Sequence, residues 1–139
     1  MSSPKRVLFV CVENSCRSQI AEGFAHIYGK DLDGKEIIEP YSAGSQPSGK
    51  VNPKAIESMR ELGYDLSRHK SKSLTDIPDI EYEYAITMGC GDECPFVKAK
   101  RRENWDIPDP KEMSLEEFRT VRTLIENRVK SLVYSLINL

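Results

Sequence analysis

Five consecutive apolar residues, Val7-Leu8-Phe9-Val10-Cys11, give way to the polar stretch Glu13-Asn14-Ser15, and a helical pattern begins directly after it. A short run that is apolar at every position fits a strand buried on both faces. From Cys16 onward Ile20, Phe24, Ile27 and Tyr28 recur at helical spacing, and Gly29 closes the pattern. A doubly buried strand that turns straight into a helix needs cover above and below, which restricts the chain to layered α/β architectures.

The rest of the chain continues the alternation. Residues 36–42 read as a second strand, and Pro40 within it predicts an edge position. A Gly-, Pro- and Ser-rich loop follows over residues 43–52, and Pro53 opens a helix carrying Ile56, Met59 and Leu62, closed by Gly63. Residues 84–88 are a third strand candidate, followed by the turn-rich Gly89-Cys90-Gly91-Asp92. A fourth strand is expected over residues 103–107, ahead of Pro108-Asp109-Pro110. Ser114 and Glu117 have capping-box spacing before a last helix, whose Leu115, Phe118, Val121, Ile125, Val129, Leu132 and Leu136 trace one apolar face. The expectation is one α/β domain over residues 1–139, a parallel sheet with helices on both sides. Reactive sites in such sheets lie at the carboxyl ends of the strands, so the regions of Cys11, Cys90 and Asp109 share one rim.

Bulk properties exclude several classes. A net charge of -2 leaves no global basic field for nucleic acid, and the one dense basic cluster, Lys100-Arg101-Arg102, reads as a solvated loop. No apolar run approaches the about 18 residues that span a membrane, and the N-terminal apolar run is too short for a signal-peptide core. A cytoplasmic protein is expected, in which four cysteines point to thiol chemistry or metal binding before structural disulfides.

The loop after the first strand is where chemistry concentrates. A strand running into a helix N-terminus aims backbone N–H groups at one point, and the helix dipole adds positive potential there. Such a nest holds an oxyanion. Arg17 adds a planar fork for two oxygens of a tetrahedral anion, and positive surroundings favour a cysteine's thiolate form. Five residues lie between Cys11 and Arg17, enough for the chain to curl around an anion with the sulfur at its base.

The stretch Val10-Cys11-Val12-Glu13-Asn14-Ser15-Cys16-Arg17-Ser18-Gln19, with Ala21-Glu22-Gly23, resembles the active-site loop of the low-molecular-weight tyrosine phosphatase superfamily. Within that superfamily it is most similar to the arsenate reductases that share the phosphatase fold. Tyr41-Ser42-Ala43-Gly44, Val51-Asn52-Pro53 and Asp109-Pro110 match in order, so the likeness covers most of the chain. The resemblance implies a four-stranded parallel sheet in a flavodoxin-like three-layer sandwich. It implies Cys11 as nucleophile and an oxyanion site built from Val12, Glu13, Asn14, Ser15, Cys16, Arg17 and Ser18. Ser18 would steady the thiolate, Asp109 would act as general acid, and Cys16 would be structural.

Both branches of the superfamily use Cys11 and Arg17, so other residues decide between them. A phosphatase needs a proton donor and then water on a thiophosphate intermediate. Asp109, held extended ahead of Pro110, suits the donor role, with Asp106 as rival. A reductase without a redox cofactor must draw two electrons from thiols. Cys90 and Cys94 supply a second and third thiol, on one face if their segment is helical and easily distorted by Gly89, Gly91 and Pro95. Two simpler readings of the pair are small core residues or a zinc site, but the CX3C spacing lacks a second ligand pair. His26 and His69 read as surface or core positions, and no metal site is expected.

The resemblance favours the reductase. Reductases of this type carry a cysteine pair after the third strand, Gln19 follows their pattern, and Lys111 and Glu112 stand where phosphatases place aromatics. It implies arsenate reduction through a Cys11 adduct and a Cys11/Cys90/Cys94 relay, with phosphate as competitor and weak phosphatase activity alongside. No bound cofactor is implied, thioredoxin is the expected external reductant with glutaredoxin as alternative, and a monomer is expected. Phosphotyrosine or small phosphate ester hydrolysis is the second hypothesis, and a non-catalytic oxyanion sensor the third. Three departures stand out: Glu13 sets a carboxylate on the anion loop, the cysteine pair is closely spaced, and Lys72 stands where some relatives have an aspartate in a potassium site. The last implies an ammonium near Asn14 and Glu22.

Overall fold

The computed structural model describes residues 3–89 and 97–137. In chain order they form β1 (Lys5–Cys11), α1 (Arg17–Tyr28), β2 (Ile38–Gly44), α2 (Pro53–Arg60), β3 (Tyr82–Thr87), β4 (Ala99–Asn104) and α3 (Leu115–Ile137). Short 3-10 turns at Leu66–Arg68 and Leu74–Asp76 lie between α2 and β3. The four strands are parallel in the order β2-β1-β3-β4. Pro40 falls on edge strand β2, where its missing N–H costs no ladder bond on the open side.

Burial follows the alternation of β1. Val7, Phe9 and Cys11 join Ile20 and Phe24 of α1 and Phe118, Ile125 and Val129 of α3 in the larger core. Leu8 and Val10 pack instead with Ala43, Leu74, Ile77 and Ile80 in a second cluster. The strand is covered on both faces, as its continuous apolar run requires. In α3, Ser114 and Glu117 exchange hydrogen bonds as a capping box, the Glu117 N–H donating to Ser114 Oγ at 3.2 Å and the Ser114 N–H to Glu117 Oε1 at 3.2 Å. Each fully buried apolar side chain on its inner face contributes on the order of 1.5–3 kcal/mol.

The fourth strand departs from expectation. It runs Ala99–Asn104 and not 103–107, so the basic triplet Lys100-Arg101-Arg102 lies on an exposed edge strand and not in a loop. Backbone pairing to β3 decides the strand, while the apolar Trp105 and Ile107 follow it and fill the core beside Phe9. Ile27 and Leu62 are partly exposed, at 38% and 45%, because α1 turns that side to an open cavity and α2 ends at Arg60. No helix among the described residues is long and apolar enough to cross a membrane.

What the sheet does for function is set by register. Cys11 pairs with Gly44, Val10 with Thr87, and Thr87 with Asn104, so the carboxyl ends of the strands form one rim.

Candidate active site

Between β1 and α1 the loop is pinned from outside, carbonyl by carbonyl. Cys11 O accepts from the Ser45 N–H (3.3 Å), Val12 O from Gln46 (2.8 Å) and Ser15 O from Asn52 (3.0 Å). Glu13 O accepts from the Ser48 N–H (3.0 Å) and the Ser71 hydroxyl (2.9 Å), and Asn14 O from Gln19 Nε2 (3.2 Å). In a trans peptide the next N–H points opposite to the carbonyl, and no peptide in the described residues is cis. The N–H groups of residues 12–16 therefore turn toward the hollow of the loop. Ile20 N–H bonds Cys16 O at 2.9 Å, which starts α1 and brings its positive end to the same hollow.

Two residues make this curl possible. Gly44 lies so close beneath that a Cβ there would sit 2.6 Å from Val12 O and 2.9 Å from Asn14 N, so only glycine fits. Asn14 takes the left-handed conformation at φ 49° while fully buried. Its side chain holds it there: Oδ1 accepts from Gln19 Nε2 and the Lys72 N–H, both at 2.8 Å, and Nδ2 donates to Ser18 Oγ at 2.7 Å. Having accepted from Asn14, the Ser18 hydroxyl has its own proton free for the Cys11 sulfur, 2.9 Å away. A donated hydrogen bond of this kind favours the charged form of the acceptor.

Arg17 is buried, donates from Nη1 to Ile107 O at 3.1 Å, and has Nη2 3.7 Å from Asp109 Oδ2. Asp109 lines the recess over the loop together with Cys11, Arg17 and Lys111, whereas Asp106 does not. The recess holds about 20 Å³, and among the described residues no aromatic ring lines it. Glu13, the unexpected carboxylate, meets Lys111 Nζ at 2.9 Å and so stands at the mouth already paired. Cys16 is buried, and burial first, then the Asp109 and Cys11 charges, push its thiol up to about 12. Its side chain packs in the larger core with Cys11 and Ile20. Cys90 and Cys94 lie outside the described residues.

Behind the loop is a layer that sequence reading did not assemble. His69 Nδ1 faces Gln19 Oε1 at 2.9 Å, and Gln19 in turn ties Asn14 to the Lys70 carbonyl at 2.8 Å. Glu22 receives the Ser42 hydroxyl at 2.5 Å and lies 3.7 Å from Lys72 Nζ. Burial disfavours its charge, but His26, His69, Ser42 and Lys72 outweigh this and hold the carboxyl below its usual range. The ammonium of Lys72 thus stands beside Glu22 and donates to the Lys70 carbonyl at 2.9 Å, while Asn14 is met by the Lys72 backbone N–H and not by the ammonium.

The low molecular weight phosphotyrosine protein phosphatase family description matches residues 6–138. The glutaredoxin arsenate reductase of Synechocystis sp. is 42% identical over 132 residues, covering 93% of this chain and 96% of its own. A solved arsenate reductase in a phosphate-binding state superposes with a TM-score of 0.81 at 40% identity, over 95% of this chain and 98% of its own. The thioredoxin-dependent arsenate reductase of Corynebacterium glutamicum gives 0.73 at 32% identity, over 98% of this chain and 64% of its own. The chain belongs to the low molecular weight phosphotyrosine protein phosphatase family, and the relatives named here are arsenate reductases.

Proposed function

We propose that this protein reduces arsenate to arsenite, with Cys11 as the nucleophile that first takes the oxyanion. The observation that carries the reading is the outward anchoring of five successive carbonyls, which turns five N–H groups onto the hollow beside the Cys11 sulfur. Such a nest, with Arg17 at its side, binds a tetrahedral oxyanion and favours a thiolate. The substrate class follows the arsenate reductase relatives, and a recess of about 20 Å³, lined by no aromatic ring among the described residues, suits a small inorganic anion better than a phosphotyrosine ring.

In this reading the Cys11 thiolate attacks arsenic(V), and an oxygen leaves as water with a proton from Asp109. Cys90, its proton lost to solvent, attacks the Cys11 sulfur. The electron pair of the S–As bond stays on arsenic, arsenite departs, and a Cys11–Cys90 disulfide forms. Cys94 then attacks Cys90, which frees the Cys11 thiolate and leaves a Cys90–Cys94 disulfide. An external dithiol of the thioredoxin or glutaredoxin class returns two electrons. The cysteine pair enters on its sequence position, and the names of the relatives support both classes of reductant.

Hydrolysis of phosphate esters is the second reading, favoured by one observation: Asp109 faces the same recess as Cys11, where a leaving alcohol would need its proton. A slow phosphatase activity accompanies the reductase for that reason. The two are separated by arsenate turnover with NADPH and either thioredoxin and its reductase or glutaredoxin, glutathione and its reductase, for wild type, Cys90→Ser and Cys94→Ser. Loss of turnover in both variants supports the relay. Full turnover in both removes the relay and leaves an arsenate reductase resolved by the external thiol, while no arsenate turnover by wild type puts the phosphatase reading in first place.

A further inference from the structure

Both histidines of the sequence, His26 and His69, meet one carboxylate, that of Glu22, one helical turn along α1 from Ser18. Glu22 Oε2 lies 3.4 Å from His26 Nε2 and 3.6 Å from His69 Nδ1, and the three ligand atoms are all within 4.8 Å of one another. A zinc ion bonded at about 2.0–2.2 Å in tetrahedral geometry needs ligand atoms about 3.3–3.6 Å apart. We propose that Glu22, His26 and His69 bind a borderline-soft divalent metal ion of the zinc class, leaving a fourth position open to the cavity.

The surroundings fit that assignment in detail. The two oxygens of Glu22 are divided in labour: Oε1 takes the Ser42 hydroxyl and faces Lys72, while Oε2 is turned to both imidazoles. His69 Nε2 lies 2.7 Å from the Tyr64 hydroxyl, so a His69 bound to metal through Nδ1 would donate its Nε2 proton there, the usual outer partner of a ligating histidine. Neutral imidazole tautomers interconvert by moving that one proton from Nδ1 to Nε2, and no net charge is lost. The 640 Å³ cavity in front of the triad gives an ion access.

Charge around the triad decides which ion is taken. Lys30, Arg68, Lys70 and Lys72 line the same cavity. They oppose hard ions such as Mg²⁺ and Ca²⁺, which are held by oxygen and charge. Zinc, copper and nickel gain from dative bonds to imidazole and tolerate the positive rim better. Occupancy has a consequence for the loop, because the metal and Gln19 Oε1 compete for the same His69 nitrogen.

The test uses the full chain and zinc sulfate, followed by imidazole ¹⁵N resonances, which arise only from these two residues. Zinc is expected to move both imidazole spin systems, saturating together, while millimolar Mg²⁺ moves neither. His26→Gln should weaken the zinc affinity read at His69 at least tenfold, and Lys72→Met should tighten it severalfold. If His26→Gln does not fold by its amide spectrum, Glu22→Gln gives the same reading. Zinc uptake by thiols with both imidazoles unmoved would overturn the assignment, as would unchanged affinity at His69 in His26→Gln.

Discussion

Gly89 and Arg17 are in contact so close that a Cβ on Gly89 would lie 2.1 Å from Arg17 Nη1. The backbone at Gly89 is also left-handed, at φ 81°. The segment after β3 is thereby moulded around the guanidinium, whose Nη1 also donates to the Ile107 carbonyl at 3.1 Å. Gly89→Ala is therefore expected to displace Arg17. Losing one charge-assisted contact to the anion costs about 1.5–3 kcal/mol, so phosphate or arsenate should bind at least about tenfold more weakly. Isothermal titration with phosphate measures this, and a change below twofold would contradict it.

Ser18 Oγ accepts from Asn14 Nδ2 and lies 2.9 Å from the Cys11 sulfur, and a thiolate there has no proton to give, so Ser18 is its donor. Ser18→Ala removes that donor without adding bulk. The rate of Cys11 alkylation by iodoacetamide at pH 7 should fall by roughly tenfold, the effect of about 1.4 kcal/mol on the thiolate. An unchanged rate would mean that Ser18 does not support the charged sulfur.

Cys16 is expected to resist alkylation at the pH where Cys11 reacts. With its thiol pushed up to about 12 by burial and then by neighbouring negative charge, only about one molecule in 10⁴ carries a Cys16 thiolate at pH 8. The direction is upward, so the reactive form appears only as pH climbs toward that value. Peptide mass spectrometry after brief labelling at pH 7 should find label on Cys11 and none on Cys16.

The pairing of Glu13 with Lys111 explains how a carboxylate is tolerated at the mouth of an anion site. Exposed pairs contribute little to stability, so Lys111→Ala should leave the melting temperature nearly unchanged. It should nevertheless weaken anion binding about two- to fivefold at low salt by leaving Glu13 unopposed, an effect that fades toward 0.5 M salt. Equal weakening at both salt concentrations would count against it.

How much of this was legible in the sequence varies with the range of the contact. Val7 to Cys11 announced a doubly buried strand because every position is apolar, and the α3 face followed from its period. The loop chemistry was local too, since Cys11, Asn14, Ser18 and Arg17 lie within eight residues of one another. β4 was misplaced because an exposed edge strand needs no apolar alternation, and its charged residues read as loop while Trp105 and Ile107 drew the prediction downstream. The layer behind the loop was invisible for another reason. Gln19 and His69 are 50 residues apart, and only the path of the 3-10 turns brings them together.

The most direct test of the central claim omits every external reductant. Wild-type protein with all thiols reduced is mixed with arsenate, and arsenite release and the thiol count are followed together. A relay that draws two electrons from the chain's own cysteines predicts a burst of about one arsenite per chain, loss of two thiols and a Cys90–Cys94 disulfide by mass spectrometry. No arsenite, with four free thiols retained and phosphate esters still hydrolysed, would contradict arsenate reduction and leave a phosphatase.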